Sequence, residues 1–200
     1  MEEKILIKGL ETNFKIIGEG KPYSQTPFET GRPAESGDRP LLILHGWGSN
    51  SERWQKVGEL LAKNGIKVII PDLPGFGKSQ KPSRAWGLDD YCEFAGEFIK
   101  FLNLERFYLL GHSFGGALAV KFSLKFPEKI DRLFLVGAAC IRKETLKKRF
   151  FYILSKIFPS FPFLRNFLYK FIIKSDYLSV EGIMRETYLK IIKEIGRAHV

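Results

Sequence analysis

The stretch "FYLLGHSFGGALAV" (residues 107–120) sets a serine between two glycines, where an apolar run ends and a run of small residues begins. Its centre, Gly111-His112-Ser113-Phe114-Gly115, fits G-x-S-x-G, the pattern of a nucleophilic serine on a sharp strand-to-helix turn. We therefore predict a strand over 106–112, a helix over 114–126 and a strained backbone at Ser113. Side chains at 111 and 115 would collide with the neighbouring strand and helix.

The rest of the first 140 residues repeats this alternation of short apolar runs and helical patterns. Runs over 3–9 and 12–18 predict an antiparallel pair of strands, and residues 19–40, rich in Pro, Gly and charge, predict a long loop. The later runs predict strands over 40–46, 66–72 and 131–139 and helices over 52–65 and 88–102. The pattern indicates an α/β fold with a mostly parallel sheet and helices on both faces.

Three glycine-containing stretches follow predicted strands: "HGWG" (45–48), "DLPGFGKS" (72–79) and "GHSFGG" (111–116). Functional residues of parallel sheets lie at the carboxyl ends of strands, so these stretches are expected to meet. Acyl transfer needs two hydrogen-bond donors for the oxyanion, and we assign them to the backbone N–H groups of Trp47 and Phe114. Supporting roles in the three turns are assigned to His45, Gly46, Gly48, Gly111, His112, Gly115 and Gly116.

The segments "LLILHGWGSNSERW", "VIIPDLPGFGKS" and "LLGHSFGGALAV", in this order, resemble the N-terminal half of an α/β-hydrolase fold enzyme over residues 3–140. The resemblance implies a Ser-His-Asp hydrolase whose triad follows in the order serine, acid, histidine, with a helical cap starting at Ile141. It implies hydrolysis of a carboxylic ester or related acyl bond without cofactor or metal, and the phenylalanine-rich stretch 150–171 favours a small substrate with an apolar acyl or aromatic part. A serine nucleophile argues against the epoxide and haloalkane branches of the fold. Carbon–carbon bond hydrolysis, thioester hydrolysis and acyl transfer stay open.

A phosphate-binding loop is the rival interpretation of "GFGKS". The pattern G-x-x-x-x-G-K-[ST] would need a glycine at position 72, where the chain has Asp72, and "QKPSRAWG" cannot open the helix that must follow. We therefore interpret 72–79 as a loop on the rim of the site.

The general base of Ser113 is not found among the three histidines. His45 precedes the serine and is expected to make structural hydrogen bonds, while His112 is adjacent to Ser113 and points to the opposite face. His199 follows no strand–helix unit of the expected kind. Asp131 begins a strand and Asp176 lies in the cap region, so neither is a credible acid.

The sequence divides into a hydrolase core (1–140), a cap region (141–194) and a tail (195–200). The nucleotide string ATC GGA AGA GCA CAC GTC, which resembles a common sequencing adapter, would translate to the tail "IGRAHV", and we expect the tail to be non-native. On this interpretation the triad acid and histidine are missing from the chain, the chain alone is inactive, and the last predicted strand is an exposed, apolar edge.

Charge bears on partners and location. Residues 141–200 hold 13 Lys/Arg and 5 Asp/Glu, and residues 150–171 interleave seven phenylalanines and two tyrosines with basic residues. This segment could cover an apolar substrate, pack on the core or touch a membrane surface weakly, and the noncatalytic alternative is a ligand-binding or membrane-surface module. We expect no nucleic-acid partner and a cytoplasmic location. Cys92 and Cys140 predict buried free thiols.

Overall fold

The computed structural model describes residues 1–19, 39–140 and 181–197. The predicted loop over 19–40 and the basic aromatic segment over 150–171 therefore lie almost entirely outside the described residues. So do most of the cap region and the end of the tail. The described ranges contain four α-helices and six β-strands.

A single six-stranded sheet organises the described chain, in the order β1-β2-β4-β3-β5-β6. β1 and β2 form the predicted antiparallel hairpin, and β2 continues antiparallel onto β4. The pairs β4–β3, β3–β5 and β5–β6 are parallel, so the predicted mostly parallel sheet is confirmed. The strands are β1 (Glu2–Ile7), β2 (Leu10–Ile17), β3 (Leu41–Leu44), β4 (Val68–Pro71), β5 (Phe107–His112) and β6 (Ile130–Val136).

Four α-helices connect or cover these strands: α1 (Gln55–Lys63), α2 (Leu88–Phe101), α3 (Phe114–Lys125) and α4 (Ile183–Arg197). The helix predicted over 52–65 begins instead with a 3-10 turn, Glu52–Trp54. Asn50 rather than Ser51 caps it, because the Arg53 N–H donates to Asn50 Oδ1 while the Ser51 hydroxyl makes no cap bond. The chain leaves the helix through a left-handed Gly65, with a φ of 82°.

Alternating side chains of the central strands pack into two apolar cores, one on each face of the sheet. On one face Leu41 and Ile43 pack with Trp54 and Leu61 from the α1 side. On the other face the alternate strand residues meet α2 and α3, in a larger core that includes Leu42, Leu44, Leu109, Phe94, Phe98, Leu118 and Phe122. This period-two division confirms that helices cover both faces.

The parallel pairing places the carboxyl ends of β3, β4 and β5 at one edge of the sheet. The "HGWG", "DLPGFGKS" and "GHSFGG" stretches all leave the sheet there. The carboxyl half of β6, which pairs with β5, exposes Leu133, Phe134, Leu135 and Val136 by 37% to 46%. This agrees with the predicted apolar edge.

The two cysteines differ in environment. Cys92 is fully buried, and burial raises the pKa of its thiol. Cys140 is only half-buried, so the prediction of two buried thiols is wrong for this residue. Within the described ranges no helix combines the length and apolarity that a membrane crossing needs.

Candidate active site

Ser113 occupies the turn between β5 and α3 with a backbone conformation that side chains rarely adopt. Its φ is 51° and its ψ is −115°, a state that typically costs about 1–3 kcal/mol. Neighbouring backbone holds it there, since the Ser113 N–H donates to Val136 O at 3.1 Å and its carbonyl accepts from the Ala139 N–H at 2.9 Å. The predicted strained turn is therefore present, and it is fixed by the last residue of β6 and by the segment that follows this strand.

Close contacts around this turn explain its glycines. A Cβ at Gly115 would overlap the Leu44 carbonyl of β3, and one at Gly111 would lie 2.7 Å from Ala119 Cβ. Real Cβ atoms essentially never approach other atoms that closely. α3 can therefore start directly against the sheet only because both positions lack a side chain.

Gly46 brings the "HGWG" loop directly against the serine. A Cβ at Gly46 would lie 3.1 Å from Ser113 Cβ and 2.9 Å from His112 Nδ1. The loop expected to supply the second oxyanion donor thus lies beside Ser113.

The loop itself is a tight turn from Gly46 to Ser49. The Ser49 N–H donates to Gly46 O at 3.1 Å, and Gly48 has a φ of 68°, which suits the third position of a type II turn. Trp47 stands at the second position. No described residue accepts a hydrogen bond from the backbone N–H of Trp47 or of Phe114, the two predicted oxyanion donors.

His45 fixes the direction of this turn. Its Nδ1 lies 2.8 Å from Gly46 O, and its Nε2 accepts from the Leu73 N–H at 2.9 Å. Because Nε2 accepts, the proton is on Nδ1 and points at Gly46 O. The imidazole is fully buried, and burial lowers the pKa of His45 to about 4, so the ring is neutral at physiological pH.

The Gly46–Trp47 peptide transmits this constraint to the candidate oxyanion donor. A trans peptide is planar, and its C=O and N–H point in opposite directions. When Gly46 O is held by His45 Nδ1 and the Ser49 N–H, the direction of the Trp47 N–H is therefore set as well.

Aromatic rings surround the turn. The Trp47 ring contacts Phe76 at 4.8 Å, Tyr188 at 5.0 Å and Phe114 at 5.7 Å between centroids. Two buried nitrogens, Trp47 Nε1 and His112 Nδ1, have no hydrogen-bond partner in the described part of the chain. The site is thus apolar, with a few unsatisfied polar atoms that could meet a bound molecule.

Helix α4, in the predicted cap region, packs onto this aromatic group. Met184 is buried, and its side chain fills the space over Gly75. The buried Thr187 hydroxyl accepts from the Trp86 N–H at 3.0 Å, and Glu194 Oε2 accepts from the Leu88 N–H at 2.7 Å. None of these contacts of α4 was predicted from the sequence, because each joins residues about 100 positions apart.

The described residues supply neither a base nor an acid to Ser113. Both nitrogens of His45 face backbone groups, and no described histidine accepts a bond from the Ser113 hydroxyl. Asp131 lies at the amino end of β6, where it pairs with Arg39 and Arg106. His199 and Asp176 lie outside the described residues.

The remaining predicted residues of the rim have structural partners. Lys78 Nζ donates to Glu2 at 2.7 Å, and the Ser79 hydroxyl donates to Asp72 O at 2.7 Å, so both side chains are engaged in bonds within the fold. Gly116 lies against Ala138. No group of three or more metal-ligating side chains occurs in the ranges 1–19, 39–140 and 181–197.

Comparison with known proteins gives a family and a spread of chemistries. The family model described as alpha/beta hydrolase fold matches residues 39–173. The 2-hydroxy-6-oxo-2,4-heptadienoate hydrolase of Pseudomonas putida is 31% identical over 144 residues, which cover 70% of this chain and 45% of that protein. The chain spans less than half the length of the curated relatives that it matches.

Solved structures agree with this assignment. An esterase from Exiguobacterium antarcticum is 26% identical with a TM-score of 0.59, covering 72% of this chain and 49% of the esterase. An epoxide hydrolase is 25% identical with a TM-score of 0.57, covering 69% of this chain and 42% of that chain. Since esterase and epoxide hydrolase resemble the chain to a similar degree, the fold alone does not select the reaction.

Proposed function

Because the chain belongs to the alpha/beta hydrolase fold family, we propose that it is the nucleophile-bearing part of a serine hydrolase that cleaves esters or related acyl bonds. The observation that carries the proposal is the position of Ser113. The serine stands on a strained turn with φ of 51°, at the start of α3 and directly against Gly46. Epoxide opening in this fold relies on a carboxylate nucleophile, and position 113 has a hydroxyl.

The first half of the reaction forms an acyl-enzyme. Ser113 Oγ attacks the acyl carbon as its proton passes to a base, and the carbonyl π electrons move onto the oxygen. The Trp47 and Phe114 N–H groups receive this oxyanion, helped by the positive end of the α3 dipole. Collapse of the intermediate breaks the bond to the leaving group, which takes the proton from the base.

Water completes the cycle by attacking the acyl-enzyme with the same base. We assign the base and its carboxylate partner to residues outside the described ranges. No described imidazole or carboxylate forms a hydrogen bond with the Ser113 hydroxyl, so the described residues alone lack the proton acceptor that this reaction needs.

The substrate is proposed to be small and apolar around the acyl group. Supporting this, the rings of Trp47, Phe76, Phe114 and Tyr188 meet beside the serine, and Met184 closes the same side. The P. putida relative is named for the hydrolysis of 2-hydroxy-6-oxo-2,4-heptadienoate. The proposal therefore includes acyl bonds other than those of esters.

A fluorophosphonate probe tests the proposal on the whole protein that carries this chain. We expect covalent labelling of the wild type and of Ser123→Ala, whose hydroxyl only bonds Ala119 O within α3. Ser113→Ala should not be labelled and should lose ester hydrolysis. Labelling of Ser113→Ala equal to wild type would favour a noncatalytic binding module on the same fold.

A further inference from the structure

A buried carboxylate next to the site is not used by the proposed reaction. Asp72 follows β4 and is 2% exposed. Its Oδ1 accepts from the Ser51 N–H at 2.6 Å, and its Oδ2 accepts from the Lys78 N–H at 2.9 Å and from Asn13 Nδ2 at 3.0 Å. Asp72 therefore joins three separate segments: the end of the "HGWGSNS" loop, the 72–79 loop and strand β2.

These bonds replace a counter-ion. No Lys or Arg within the described ranges forms an ion pair with Asp72, so amide dipoles stabilise the carboxylate. A Cβ at Gly77 would overlap Asp72 Oδ2, which shows that the loop backbone closes directly over the carboxylate. Removing one donor would leave a buried carboxylate oxygen without a partner, so the three contacts hold one another in place.

The Ser51 contact fixes the far end of the candidate oxyanion loop. His45 holds the near end through Gly46 O, and the turn to Ser49 lies between the two anchors. With the near end fixed to the imidazole and the far end to Asp72, the Trp47 N–H has little freedom to turn away from Ser113. If Ser51 were released, the peptide planes from Trp47 to Asn50 could rotate about their soft dihedrals.

We propose that Asp72 is a positioning residue for the oxyanion hole, acting through the Ser51 N–H on the Trp47 N–H. The inference rests on the proposed function, because an oxyanion hole has meaning only where Ser113 attacks an acyl group. Asp72 does not touch the substrate. Its effect is on the direction of a donor that does.

Ser51 offers a substitution that breaks this link. Its φ is −61°, the value that proline imposes, so Ser51→Pro fits the local φ, and its Cδ replaces the amide proton and displaces Asp72 Oδ1 from the Ser51 nitrogen. Ser51→Ala is the matched variant, because it keeps the N–H and removes a hydroxyl that makes no cap bond. Asp72→Asn adds a second test from the acceptor side.

The readout compares an aryl ester with its thionoester in the whole protein. Sulfur accepts hydrogen bonds poorly, so a thionoester gains little from oxyanion donors. We expect Ser51→Pro and Asp72→Asn to lower kcat for the ester by about 10-fold or more, approaching the ~100-fold typical of one lost donor. Little change in KM and a much smaller loss for the thionoester should accompany this. Ser51→Ala should keep the wild-type ester-to-thionoester ratio.

Equal losses for both substrates would overturn the positioning role, because they would report general damage to the fold. A wild-type protein without Ser113-dependent hydrolysis would overturn the proposed function instead. If Ser51→Pro or Asp72→Asn folds poorly, amide NMR of the wild type and of Ser51→Ala tests the hydrogen bond from residue 51 to Asp72 instead. In both proteins the amide proton of residue 51 should resonate far downfield, as expected for a short bond to a carboxylate, and an ordinary shift would overturn the inference.

Discussion

The Leu88 N–H donates to Glu194 Oε2 at 2.7 Å and so joins two residues 106 positions apart in the chain. Leu88 is the first residue of α2, and its N–H is one of the four that a helix leaves without an internal partner. Glu194 of α4 satisfies it, beside the local bond from the Gly87 N–H to Asp90. The last described helix is thereby anchored to the core by its own carboxylate.

Replacing this carboxylate should loosen α4. We expect Glu194→Ala to lower the free energy of unfolding by about 1 kcal/mol, the usual cost of a lost N-terminal cap. Urea unfolding at neutral pH measures the change. Lys193→Ala, on an exposed position of the same helix, should leave stability within about 0.5 kcal/mol of wild type. Equal effects of the two substitutions would contradict the anchor.

Thr187 gives α4 a second anchor with a sharper chemical control. Thr187→Val keeps the shape of the side chain and leaves the buried backbone N–H of Trp86 without its acceptor. The free energy of unfolding should fall by about 1–3 kcal/mol. Thr187→Ser retains the hydroxyl and should lose clearly less stability. Denaturant unfolding of the two variants side by side checks this, and a serine variant as unstable as the valine variant would show that packing dominates.

His45 should make stability depend on pH in a defined direction. Burial lowers the pKa of His45 to about 4 in the fold, from its ordinary value of 6.5. Folding therefore favours the neutral ring. The contribution of His45 to the free energy of unfolding is complete above pH 6.5 and is lost as the pH falls towards 4. The loss amounts to about 3 kcal/mol at pH 4.

Comparing the pH dependence of the free energy of unfolding in wild type and His45→Asn separates the effect of His45 from that of the carboxylates that titrate in the same range. Asparagine can still donate to Gly46 O but cannot be protonated. Unfolding at pH 7 and pH 4 should show a steeper loss for wild type. Parallel losses in the two proteins would mean that His45 does not titrate between those values.

The sequence predicted the elements well where the signal is local. Local pattern was sufficient for the strands at Leu41 and Phe107 and for the turn at Ser113, because apolar periodicity and a sharp turn depend on adjacent residues. The roles of Asp72, Thr187 and Glu194 were not predicted. Their partners are Ser51, Trp86 and Leu88, and no local pattern records which distant amide a side chain will meet.

Two glycines in helices should respond to alanine with opposite signs. Gly115→Ala would drive a Cβ into the Leu44 carbonyl, a backbone atom that cannot move aside, so we expect a loss of about 3 kcal/mol or more. Gly96 lies within α2, and the nearest atom to a Cβ there is on the Phe126 ring at 3.9 Å. Gly96→Ala should therefore stabilise the protein by up to about 1 kcal/mol through helix propensity. Thermal unfolding of both variants measures the two signs.

Tyr188 is expected to limit the length of the acyl group. Its ring lies 5.0 Å from that of Trp47, on the α4 side of the aromatic group. Tyr188→Ala would open an apolar space beside the proposed acyl site, where each additional buried methylene is worth about 0.8 kcal/mol, or roughly 4-fold in kcat/KM. We expect the kcat/KM ratio of p-nitrophenyl hexanoate to acetate to rise at least about 4-fold in this variant.

The next residue along the helix provides the control for this prediction. Leu189 is 50% exposed, so Leu189→Ala removes apolar volume from α4 without opening space towards Trp47. Its hexanoate-to-acetate ratio should stay at the wild-type value. A ratio that rises equally in both variants would point to a looser α4 rather than to a longer pocket. An unchanged ratio in Tyr188→Ala would place the acyl chain away from the Trp47 ring.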